Sequence, residues 1–91
     1  TPLYSSAASD VYKRQGENCI IRPSAGLIDL NMGDRCELGS GIILEPDTIV
    51  YDTRNPHEKA YVPAHTITEQ SDWTIINEPH SATPVVRGRS R

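Results

Sequence analysis

The chain has 91 residues, 36% of them hydrophobic and 5% aromatic with no Phe, so it holds at most one small domain with an aliphatic core. The net charge of −3 excludes a dedicated binder of nucleic acid or of an anionic membrane, because no basic excess exists to neutralise phosphates. No apolar run approaches the ~18 residues of a spanning helix, no basic-then-apolar leader opens the chain, and two cysteines exclude a disulfide-rich scaffold, making the cytoplasm the expected compartment. A core this small rarely supplies more than about 3–5 kcal/mol, so further chain or an oligomer is expected.

Residues 1–15 share no period with the remainder of the chain. Ser5 to Gln15 resembles a peptide produced when sequencing adaptor is translated, which implies a segment without selected information. It is set aside from the fold as a fusion scar would be, and is expected to be disordered or a short helix capped at Ser9-Asp10.

From Met32 the pattern changes. Aliphatic residues stand at Met32, Leu38, Leu44 and Val50, six apart each time. Cys36, Ile42 and Thr48 follow four positions after the first three, and Gly33, Gly39 and Glu45 follow directly. This period fits neither helical spacing nor plain strand alternation; it is the hexapeptide repeat of a parallel β-helix. Each rung supplies a short strand with an inward aliphatic residue and a compact residue near the bend. Between them lie turn-forming triplets such as Gly39-Ser40-Gly41 and Glu45-Pro46-Asp47, where Pro46 costs no ladder bond.

Backwards, Ile21 to Gly26 forms another rung with Ala25 at the compact position, and Cys19 holds that position one rung earlier. Ile21 and Met32 are eleven apart rather than twelve, so Leu27–Asn31 must contain a one-residue irregularity. Cys19 and Cys36 then share a phase on adjacent coils at about 4.8 Å strand spacing, where two buried free thiols are favoured over a disulfide in a reducing compartment. Forwards, residues 52–61 are polar and read as a loop extruded from the coils, and Val62 to Ile67 read as a further rung with Val62 inside and Thr66 compact. Residues 71–77 and 84–87 read as strands of a hairpin around a turn at Glu78–Ala82, with Trp73 capping the open end of the last coil. The expected organisation is a non-native segment 1–15, coils over 16–70, and hairpin and tail over 71–91: an all-β, partial β-helix. Repeat folds need about three or more units, so upstream coils are expected to be missing.

With these elements in place, the chain resembles the hexapeptide acyltransferase superfamily, and within it the tetrahydrodipicolinate N-succinyltransferases. The resemblance rests on Cys19-Ile20-Ile21, Ser24 to Leu27, Leu30, Met32 to Cys36, Gly41 and Lys59-Ala60, across residues 16–86. Arg22-Pro23 and Tyr61-Val62-Pro63 depart from the family's usual residues. The resemblance implies a left-handed parallel β-helix, a homotrimer with active sites between subunits, and succinyl transfer from succinyl-CoA to an amino-dicarboxylate in lysine biosynthesis. Another hexapeptide acyltransferase using acetyl-CoA, or a non-catalytic β-helix that scaffolds an assembly, explains the bare repeat equally well.

Acyl transfer to an amine needs a group to receive the amine's proton and donors at the thioester oxygen as it becomes an oxyanion. The family's carboxylate and oxyanion donor lie upstream of the matched region, so the catalytic residues are unknown and expected outside this sequence. The backbones of Ser24, Ala25, Gly26 and Gly41 are candidates for close approach to a pantetheine arm, weighed against serving only as corners. Lys59, aligned with a family lysine, is the candidate for the CoA phosphates; Arg87, Arg89 and Arg91 are weighed for the same role, with a solvated tail the favoured reading. His57 on the loop and His65 are weaker candidates for a base. The spacings among His57, His65 and His80 match no rung-to-rung stacking, so no metal site is expected.

Overall fold

A computed structural model describes residues 14–89. Ten short strands and one short helix make up its regular structure. β1 (Arg14–Gln15), β2 (Ile20–Ile21), β3 (Gly26–Leu27), β4 (Asn31–Met32), β5 (Glu37–Leu38) and β6 (Ile43–Leu44) come one after another at two residues each. β7 (Ile49–Asp52), β8 (Ala60–Pro63), α1 (His65–Thr68), β9 (Trp73–Ile76) and β10 (Val85–Gly88) complete the chain. The described residues are therefore mainly β.

The first six strands follow the six-residue repeat. β1 pairs in parallel with β4 (Arg14 beside Asn31), β2 with β5 (Ile20 beside Glu37) and β3 with β6 (Gly26 beside Ile43). In every pair the partner lies seventeen residues on, so the chain returns three times over its own path, each time in a different sheet. The step from β3 to β4 is five residues where the neighbouring steps are six. Asp29, at φ 54°, takes the left-handed conformation inside that short link, and this is the irregularity expected within Leu27–Asn31.

The repeat's aliphatic positions form the interior. Met32, Leu38, Leu44 and Val50 are buried, as are Ala25, Cys36 and Ile42 at the compact positions. Corners turn through the left-handed region at Asn18 (φ 59°), Ser24 (φ 61°), Arg35 (φ 56°), Gly41 (φ 76°) and Asp72 (φ 63°). Asn and Asp tolerate this conformation through local side-chain bonding; glycine meets no Cβ penalty there.

Beyond Leu44 the architecture departs from the repeat. β7 pairs in parallel with β10 and antiparallel with β8 instead of stacking on β4. The amides of Tyr51 and Thr53 donate to Pro84 and Val86 at 2.8 and 3.0 Å, which ties β7 to the later hairpin. A six-stranded mixed sheet results, in the order β2-β5-β9-β10-β7-β8. The expected rung over 62–67 is absent: residues 60–63 form a strand running back along β7, and 65–68 form α1. Thr66 is exposed and caps back onto the Pro63 carbonyl at 2.7 Å, while Ala64 and Ile67 enter the core in its place. Their spacing of three suits a helical turn and not a rung. The loop is correspondingly shorter than 52–61, lying between Asp52 and Ala60. Arg14 and Gln15, set aside with the preceding residues, belong to the fold as β1; the expectation for residues 1–13 lies outside the described residues.

α1 closes the stack above β4, with the Gly33 amide donating to the Thr68 carbonyl at 2.8 Å. β9 lies on β5, and β9 and β10 pair antiparallel from Trp73–Gly88 to Ile76–Val85. Trp73 is fully buried and its indole Nε1 donates to the Gln70 carbonyl at 2.8 Å. Both cysteines are free: Cys36 is buried but Cys19 is only half-buried, because it lies in the first coil, at the end of the interior.

Candidate functional site

The residues expected to meet a bound thioester fall into two separate places. Ser24 and Gly41 belong to one corner: the Gly41 amide donates to the Pro23 carbonyl at 3.1 Å, and the register of β3 on β6 stacks the two left-handed residues. Ser24 and Gly41 are exposed, whereas Ala25 and Gly26 are buried and continue into β3. A Cβ on Gly41 would meet open space, so that corner leaves its backbone accessible. Neither Ser24 nor Gly41 lines the groove that holds Lys59.

Lys59 instead lines a groove of about 580 Å³ on the outer face of the mixed sheet. Alternation along the strands explains which residues reach it. Val50 and Val62, paired across β7 and β8, turn inward, so their neighbours Tyr51 and Tyr61 turn outward and face each other. The register places Val85 of β10 on the other side of Tyr51. Val85, Tyr51 and Tyr61 thus form one row across three strands. Two residues further along lie Arg87, Thr53 and Lys59, the next row, and all six line the groove. The turn at Glu78–Ala82 forms the opposite wall, including His80.

The two tyrosine rings lie 4.6 Å apart at 34°, and Tyr61 remains 65% exposed. The Thr53 hydroxyl is engaged, donating to the Val86 carbonyl at 2.8 Å. Arg87 is held by Glu78, with its Nε 3.1 Å from Oε1 and its Nη2 2.8 Å from Oε2. Arg22, Arg35 and Arg54 pair with Glu37, Asp72 and Asp52. Arg89 is bound to backbone carbonyls. Among the described residues Lys59 has no ion-pair partner. The groove therefore joins an aromatic platform to an uncompensated ammonium, in a volume typical of small-molecule sites.

His57 and His65 are exposed and lie outside the groove, His57 within the loop and His65 on α1. His80, which the sequence offers only as a member of an unsuitable metal set, is the histidine that lines it. Among the described residues no cluster of three His, Cys, Asp or Glu side chains is arranged to hold a metal ion. No helix among them is long and apolar enough to cross a membrane. The Tyr51–Tyr61 pair and the groove position of Arg87 are not evident from the repeat pattern. One signal points to the pair: Val50-Tyr51 and Tyr61-Val62 mirror each other about the polar loop, the order a hairpin requires.

No family model matches the chain, and no curated protein is similar to it.

Proposed function

We propose that the chain is part of a hexapeptide-repeat acyltransferase built on a left-handed parallel β-helix. It transfers succinyl from succinyl-CoA to the amine of tetrahydrodipicolinate, as a cytoplasmic homotrimer. The observation that carries this reading is the threefold parallel return at seventeen residues, in three sheets, with the repeat's aliphatic residues inside.

In the reaction water adds to the ring C=N and opens it to the free amine, the amine attacks the thioester carbonyl carbon, the C–S bond breaks, and an amide and free CoA thiol form as the amine's proton passes to the departing sulfur. The residues present here bind: the Ser24 and Gly41 corner offers accessible backbone to the pantetheine arm, and Lys59 offers a cation to the phosphates.

The test is the mass of the chain in solution, followed by thermal shift with CoA, succinyl-CoA and acetyl-CoA. A ligand at ~100 times its dissociation constant should add about 2.7 kcal/mol of stability. A trimer stabilised most by succinyl-CoA supports the reading, and equal shifts with all three retain acyl transfer without its donor. A folded trimer indifferent to all three overturns it and favours a non-catalytic scaffold.

A further inference from the structure

We infer that the groove on the outer face of the mixed sheet binds a nucleotide, with the base on Tyr61 and a phosphate at Lys59. The inference shares Lys59 with the acyl-CoA reading and adds the platform for the base; it stands without that reading, because a free nucleotide and the nucleotide end of CoA present the same chemistry.

Three observations carry it. The first is the platform. Tyr61 is 65% exposed on β8, and its ring is backed by that of Tyr51, with the centroids 4.6 Å apart. A backed ring is held in place before a ligand arrives, so a base stacking on its open face orders little new structure. The second is the cation. Lys59 lies two residues before Tyr61, about 6.7 Å along an extended chain, and shares its groove. With no carboxylate partner among the described residues, the ammonium is available to an anion. The third is the sign of the local charge. Arg87 and Glu78 cancel, leaving Lys59 as an excess positive charge in a chain of net charge −3. Lys59 thus gives the groove a local positive charge in a molecule whose net charge is negative. A purely apolar ligand would leave Lys59 desolvated without compensation, and a simple anion would leave the tyrosine platform unused.

The chain is titrated with CoA, adenosine 3′,5′-bisphosphate and AMP, followed by amide NMR spectra and calorimetry, alongside the variants Tyr61→Ala and Lys59→Gln. Both side chains are exposed, so spectra unchanged away from the groove establish that the variants fold. All three ligands should shift the amides of Lys59, Tyr61, Val85 and Arg87, and each variant should weaken binding about tenfold, within the range for loss of one base stack or one charge-assisted contact. Tighter binding of CoA and the bisphosphate than of AMP identifies the nucleotide end of CoA as the source; tighter AMP identifies a free nucleotide. Nucleotide binding without CoA binding keeps the groove and removes the acyl-CoA reading. CoA binding that neither variant alters overturns the groove and leaves the acyl-CoA reading standing, and failure of all three ligands overturns the groove outright.

Discussion

A Cβ on Gly33 would overlap the Gln70 carbonyl, because α1 and the residues after it descend directly onto this backbone. Gly33→Ala is therefore expected to destabilise by about 1–3 kcal/mol, the range for overpacking a closed interior, read as a lowered midpoint in denaturant unfolding. Thr68 presents the opposite opportunity. Its hydroxyl is buried and has no hydrogen-bond partner among the described residues. Thr68→Val keeps the shape and removes the unpaired group, so it should raise stability by about 1 kcal/mol, measured by the same unfolding. Two titrations bend the pH profile at opposite ends. The Arg54 guanidinium, bonding both Asp52 oxygens at 3.0 Å, holds that carboxyl below its usual range. The folded state then binds its proton less readily than the unfolded one, so this stability is full above the usual carboxylate range and is lost as pH falls through it. Burial pushes the Cys36 thiol up. Here the folded state holds the proton more tightly, so stability is full below the usual thiol range and declines as pH rises above it. Asp52→Asn should flatten the acid limb of melting temperature against pH, and Cys36→Ala the alkaline limb.

At the level of elements, β5 has the most at stake, since it joins β2 to β9 and carries the fully buried Leu38. Leu38→Ala should cost about 2–5 kcal/mol, and hydrogen exchange should speed up together at the Arg22 and Gly39 amides, whose bonds flank that strand at the Leu38 and Ile75 carbonyls. The β1–β6 stack is legible in the sequence because a closed aliphatic interior permits few residues every sixth position, and Met32, Leu38 and Leu44 obey that demand. The short link around Asp29 is legible for the same reason, as a lost residue in an otherwise fixed count. Residues 62–67 mislead because Val62 and Thr66 satisfy the rung pattern while Ala64 and Ile67 satisfy a helical one. Packing over β4 decides for the helix. The groove is legible only at Lys59. Tyr51, Val85 and Arg87 meet there through the pairing of β7 with β10, a contact across more than thirty residues with no local signature.

Over the whole molecule, each parallel pair of the stack closes a loop of seventeen residues and β5–β9 closes one of thirty-seven. Loop-closure entropy precedes the reward of such contacts, so refolding is expected in milliseconds to seconds and not in microseconds. Stopped-flow fluorescence reads this directly, because Trp73 is the one tryptophan of the sequence and is fully buried. Repetition also creates a hazard, since a coil displaced by one rung still finds aliphatic residues to face. Arg89 counters it. Its amide donates to the Asp72 carbonyl at 3.0 Å, and its guanidinium reaches the carbonyls of Asn18 at 3.1 Å and Cys36 at 3.4 Å. One residue near the end of the described chain thereby inspects three successive levels of the same corner, two with its side chain and one with its amide. A misregistered stack would leave all of these donors unanswered together, so Arg89 acts as a checksum on the winding of the chain.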